Sequence, residues 1–165
     1  MQDFRQGTST ELWQALVREG EQRRNLALGD DLESYLVFAL MRHLGDDSLA
    51  SRTLALDWLQ ASAVPAQEGA EALREVGDRC LLVAGLFPRL AERRRVDSDY
   101  FVRLGRGAYA GAAERTRRGE APLFAQLVEA FHSLVDVLRA LGPQARQGLL
   151  APVPAGVLTR GRELH

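Results

Sequence analysis

Lysine and isoleucine are absent from this chain, and cysteine occurs once. All 21 basic residues are therefore arginine, a usage that reads as the coding bias of a GC-rich, bacterial genome before it reads as a functional device. An arginine cluster in such a chain is weaker evidence for phosphate recognition than one in a chain that also uses lysine. The lone Cys80 excludes an intrachain disulfide and any multi-cysteine zinc site. Its place in the run Cys80-Leu81-Leu82-Val83-Ala84 predicts a small buried hydrophobe and not a reactive thiol. No apolar run approaches the roughly 18 residues of a membrane span, so no membrane association is expected. The amino-terminal MQDFRQGTSTE has no apolar stretch behind a basic region, and a cytoplasmic location is the expectation.

What is present fits one globular domain. A chain of 165 residues, 46% hydrophobic and 26% charged, is ordinary for a folded protein, and a globule of that size buries about 70% of the surface its unfolded chain exposes. The net charge of -1 hides a polarised distribution. Residues 1–88 carry 8 arginines against 14 acids, residues 89–118 carry 9 against 4, and residues 119–165 carry 4 against 4. The middle third is a basic island.

Hydrophobic periodicity predicts helices throughout and no strand. A first helix is expected from the capping-box spacing Thr8-x-x-Glu11 through Trp13 and Val17, weakened at its far end by Gly20. A second starts at Asp30 and Asp31 and stops at Gly45; its centre, Tyr35 to Met41, is apolar on every face and predicts burial on all sides. Ser48 is placed as the cap of a third helix running to Pro65. A fourth passes through Leu73, Val76 and Cys80 to a bend at Gly85 and Pro88, and residues 88–95 form a short helical turn. Ser98 or Asp99 starts the next, with Tyr100, Phe101, Leu104, Ala108, Gly111 and Ala112 on the core side and Arg103, Arg106 and Arg117 on the wet side. Its Gly107-x-x-x-Gly111 spacing predicts close approach of a neighbouring backbone. The last helix is expected as one piece from Ala121 to Leu141, with a continuous stripe from Leu123 to Leu138. The expectation is thus an irregular all-α bundle of five to seven helices over residues 1–141, followed by a Pro- and Gly-containing tail over residues 142–165 that drapes over the bundle or stays loose.

Catalytic and cofactor motifs are missing. Glu129-x-x-His132 with Asp136 has the spacing of a di-iron bundle, but these residues point away from the apolar stripe of their own helix, where a bundle metal site must face inward. His43 and His165 lie in no ligand spacing, so no metal and no cofactor is expected. Gly105-Arg106-Gly107 sits inside a helical pattern without the preceding strand of a dinucleotide fingerprint, and no Gly-x-Ser-x-Gly elbow occurs.

The most distinctive stretch runs through Gly77-Asp78-Arg79, Gly85-Leu86-Phe87-Pro88, Arg93-Arg94-Arg95, Asp97-Ser98-Asp99-Tyr100 and Tyr109. Over residues 73–113 it resembles a group of bacterial helical proteins in which similar Gly-Asp, Gly-Phe-Pro and Asp-x-x-Tyr punctuation recurs; the resemblance implies a helical fold and no particular activity.

Three functions follow as expectations. The leading one is a non-catalytic regulatory or protein-interaction module whose contact region is Arg93, Arg94, Arg95, Asp97, Asp99, Tyr100, Arg103 and Arg106. The second is binding of phosphate, nucleotide or nucleic acid by the arginine face of residues 89–118. The third is an enzyme with an inter-helix pocket around Asp78, Arg79 and Tyr109, its acid and base groups drawn from Asp78, Asp97, Asp99, Tyr100 or Tyr109. Two fully apolar segments exceed what one small core needs, so a homodimer interface is a further expectation.

Overall fold

The computed structural model describes residues 2–46, 48–49, 53–64, 66–97, 99–116, 119–141, 145 and 147. Among these the secondary structure is entirely helical: α1 (Gln2–Arg24), α2 (Asp30–Arg42), α3 (Leu54–Ala63), α4 (Ala66–Leu86), α5 (Leu90–Arg93), α6 (Tyr100–Arg115), α7 (Ala121–Glu129) and α8 (Phe131–Leu141). The predicted class holds, and the count of eight exceeds the predicted five to seven. The tail beyond Leu141 lies almost wholly outside the described residues, as do Ser98, Arg117 and Arg118.

Local rules account for several ends and fail at others. α1 starts well before Thr8, because an isolated capping-box spacing does not stop a helix whose preceding residues can continue it; Thr10 turns its hydroxyl to the Met41 sulfur, 3.5 Å away. The helix closes at Asn25, which takes φ 57°, a left-handed conformation that asparagine tolerates. Leu26 N–H then donates to the Glu21 carbonyl at 2.9 Å and Asn25 N–H to that of Gln22 at 3.2 Å, the paired bonds of a Schellman cap. Gly20 does not weaken this end. A Cβ there would lie 2.8 Å from the Val137 carbonyl, so the bare Cα is what lets α1 lie against α8.

α3 begins six residues later than Ser48, since Asp46 claims the Ser48 N–H at 3.1 Å and its hydroxyl at 2.7 Å. That side-chain turn competes with a helix start. Thr53 stands at the N-cap position instead.

α4 is the axis of the molecule. It packs along α6 more extensively than any other pair of helices meets, and also against α8 and α3, while α1 lies on α8 and α2, and α7 lies on α6. Leu73, Cys80, Leu81, Leu82 and Val83 of α4 are sealed, with Leu36, Leu40, Tyr109, Leu127, Phe131 and Leu134 around them. α2 is not buried on all sides: Phe38 is 56% exposed, because α1 and α7 cover only part of its circumference.

The stripe from Leu123 to Leu138 is cut in two. Ala130 leaves the helix, and α8 departs from α7 at 68°. Continuous periodicity did not reveal this, since one residue in a turn conformation preserves the apolar sequence pattern while redirecting the axis. The buried face of α6 is also rotated from the predicted one, to Phe101, Val102, Gly105, Ala108, Tyr109 and Ala112. Tyr100, Leu104 and Gly111 are half-buried. The cause is Gly105, where a Cβ would fall 2.5 Å from the Phe131 ring and 2.9 Å from the Cys80 Cβ. A Cβ at Gly107 would meet only the Trp58 indole nitrogen, at 3.9 Å, whereas one at Gly111 would fall 2.9 Å from the Leu73 side chain, so close approach occurs at Gly105 and Gly111 and not at Gly107. Among the described residues no single helix is long and apolar enough to cross a membrane.

Candidate functional site

Asp78 is the pivot of the polar interior. Its predecessor Gly77 leaves room for the Tyr109 ring, whose carbons would lie 2.5 Å from a Cβ there. The ring therefore lies flat on α4 and its hydroxyl donates to Asp78 Oδ1 at 2.6 Å. Tyr35 of α2 donates to the same oxygen, also at 2.6 Å. Arg42 Nη2 donates to Oδ2 at 2.7 Å, and Arg74 Nη1 stands 3.6 Å from it while its other nitrogen holds Glu71 at 2.7 Å. The two tyrosine rings meet edge to face at 6.2 Å, and the Arg42 guanidinium lies 5.9 Å above Tyr35. Asp78 is wholly inaccessible to solvent.

Burial, and next to it the Asp78 charge, push both phenols well above the usual tyrosine range. They stay protonated and serve as donors. Burial pulls Arg74 down, but Glu71 and Asp78 outweigh it and hold the guanidinium above its ordinary value. Two phenols and two guanidiniums therefore satisfy one carboxylate, which is the condition for keeping a charge away from water. The unit ties α2, α4 and α6 together.

A second polar group adjoins it. His43 Nδ1 lies 3.1 Å from Asp46 Oδ2; Arg79 Nη1 is 3.1 Å from the same oxygen, and Arg79 Nε donates to Glu75 Oε2 at 3.1 Å. Burial would raise the Asp46 carboxyl, but the Ser48 hydroxyl, His43 and the Arg79 charge overcome it and hold the pKa near about 2. Glu75 and Arg79 also line a cleft of about 420 Å³ between α3 and α4, together with Asp57, Gln60, Ala61, Val64, Ala72 and Val76.

The residues singled out from sequence separate into two places. Asp78 and Tyr109 meet directly; Arg79 turns away from them toward Asp46 and the cleft. Arg93, Arg95, Asp97, Asp99, Arg103 and Arg106 are exposed around α5 and the start of α6, with Arg94 and Tyr100 half-buried beside them. Arg103 pairs with Asp97 at 3.1 Å, both side chains 61% exposed, and Arg106 Nε donates to the Val128 carbonyl at 3.1 Å, tying α6 to α7. Tyr100 and Tyr109 are nine residues apart on one helix, roughly 13 Å, so the arginine surface and the Asp78 unit are distinct. Glu129 and His132 are exposed and sit on different helices. Cys80 is sealed, and burial raises its thiol far out of the reactive range.

Sequence reasoning missed Tyr35, Arg42, His43, Asp46, Arg74 and Glu75. Local signals existed for two pairs: Arg74 and Asp78 stand four apart on one helix face, and Tyr35 and Arg42 stand seven apart on another. Nothing in the spacing says that these two faces meet. Comparison of the chain with protein-family models, with curated proteins and with solved structures yields no match.

Proposed function

We propose that the protein acts by binding another protein and not by catalysis, and that the contact surface is the arginine-rich shoulder formed by α5 and the first turns of α6. The observation that carries this reading is the contrast between the two polar regions. Asp78 is held by Tyr35, Tyr109, Arg42 and Arg74 where solvent does not reach, and such a unit pins helices together. The arginines at 93, 95, 103 and 106 are exposed, and charge displayed on one side of a near-neutral molecule steers an acidic partner.

The test is capture of a partner by the intact protein, compared with the double variant Arg94→Glu and Arg95→Glu. Loss of a specific partner with unchanged circular dichroism and melting temperature supports the proposal; equal recovery by both proteins refutes it. A second reading, recognition of phosphate by the same surface, draws on the same exposed arginines. It demands affinity that falls steeply with salt, and no retention of any nucleic acid at low ionic strength ends it.

A further inference from the structure

We infer that His43, Glu75 and Asp78 form a binding site for a divalent transition-metal ion, reached from the cleft between α3 and α4. Each offers one ligand atom, and these atoms all lie within 4.8 Å of one another. His43 is 3% exposed and its Nε2 is buried without a hydrogen-bond partner. On the other side of the ring, Nδ1 lies 3.1 Å from Asp46 Oδ2, which favours the tautomer with the proton on Nδ1. That leaves Nε2 a bare lone pair, aimed toward the Glu75 Oε2 atom 3.8 Å away. No donor reaches Nε2, and the Glu75 oxygen it faces already accepts from Arg79 Nε at 3.1 Å, so the ring nitrogen and the carboxylates are left as a cluster of acceptors that a cation can bridge. A carboxylate behind a ligating imidazole is also the usual outer shell of a zinc site, where it orients the ring and raises its basicity.

Glu75 and Asp78 stand three apart on α4, on one face, and His43 arrives from the end of α2. One imidazole and two carboxylates are a donor set suited to zinc, manganese or iron. The arginines nearby do not forbid it. Arg42, Arg74 and Arg79 face Asp46, Glu71, Glu75 and Asp78, so carboxylates outnumber guanidiniums. Asp78 Oδ2 accepts one hydrogen bond, from Arg42 at 2.7 Å, with Arg74 Nη1 standing 3.6 Å away, and keeps a second lone pair for the ion. Arg79 shares Glu75 with the metal. Bond lengths near about 2.1 Å require the ligand atoms to draw together by roughly an ångström, which the partly exposed Glu75 side chain supplies. Glu75 also lines the cleft, giving the ion its route in and water its place in the remaining coordination positions. The sequence gives no hint of this site, because 31 residues separate His43 from Glu75 in the chain.

The experiment uses the full chain, stripped with a chelator and titrated with zinc by calorimetry and with cobalt(II) by visible absorption. One equivalent is expected to bind, with cobalt d–d bands of a nitrogen–oxygen site and a rise in Tm of about 5 °C at a hundredfold excess over the Kd. Glu75→Gln, at a half-exposed position that leaves the fold intact, lowers the affinity at least about tenfold, and the outer-shell variant Asp46→Asn lowers it by about 10–100-fold. His43→Ala abolishes the cobalt bands; should that variant fail to fold, Glu75→Gln alone decides. Absence of saturable binding, or unchanged zinc affinity in Glu75→Gln, overturns the inference, the latter by assigning the metal to a site that does not include Glu75.

Discussion

A single carboxylate, Asp78, keeps its charge where no water reaches, and four side chains from three helices make that tolerable. Removing the charge leaves guanidiniums and phenols facing a neutral group, a change that costs about 3–5 kcal/mol when a buried pair is broken. Asp78→Asn is therefore expected to lose most of the domain's stability margin in urea denaturation, whereas Tyr109→Phe, which deletes one donor and keeps the ring, costs about 1–3 kcal/mol. A different carboxyl sets the pH dependence. Burial, and then the neighbouring Glu33, raise the pKa of Glu21 to about 7, with Arg18 opposing. A folded-state pKa above the ordinary 4.5 means that the contribution is complete below pH 4.5 and is lost as the pH rises through 7. The protein should thus melt at a lower temperature at pH 8 than at pH 5.5, and Glu21→Gln should flatten that difference. The sequence places Cys80 in an apolar run, and it is buried as that run requires, whereas nothing in the charged neighbourhood from Arg74 to Arg79 marks Asp78 as enclosed. It carries no trace of the Glu21–Glu33 proximity, because only the antiparallel meeting of α1 and α2 creates it.

At the level of helices, glycine decides what can touch. Gly105 admits Phe131 and Cys80 to within the space of a methyl group, so Gly105→Ala is expected to destabilise by about 1–3 kcal/mol through overpacking, read as a lower urea midpoint with unchanged slope. Gly107→Ala, with almost nothing near its Cβ position, should instead be neutral or slightly stabilising. Arg95 closes α5 at φ 58°, a conformation that costs a side-chain-bearing residue about 1–2 kcal/mol. Arg95→Gly is expected to raise stability by about 1 kcal/mol and to weaken capture of a partner by the proposed surface at the same time. Apolar periodicity located α2, α4 and α6 because each carries apolar residues at helical spacing, α4 being enclosed on all sides over residues 80–86. It misplaced the start of α3 and the break at Ala130, since an Asp46–Ser48 turn and a one-residue kink leave hydrophobic spacing nearly untouched. It also rotated the buried face of α6, because a glycine contributes nothing to a hydrophobic pattern yet sets the closest contact.

Across the whole molecule, the acidic first half and the basic middle fold together through α4 and α6, which contact each other more than any other two helices. Among the described residues of the basic middle, Arg89, Arg93, Arg95, Arg103 and Arg106 are exposed, and the run of arginines was legible in the sequence. The convergence of α2 with α4 was not, because tertiary meeting of two helices has no local signature. Their union draws on long polar side chains, from Tyr35 and Arg42 across to Asp78.

The elbow at Ala130 carries a geometric consequence for the last part of the chain. α7 serves α6, while α8 crosses to α1 and α4, burying Phe131, Leu134, Val135, Val137, Leu138 and Leu141. Because the corner is a single residue, it also sets the rotational phase of everything after it. Adding one alanine behind Ala130 would twist α8 by about 100° about its own axis and swing that greasy edge out into water. Circular dichroism would still report helix, but the cooperative melt would be gone.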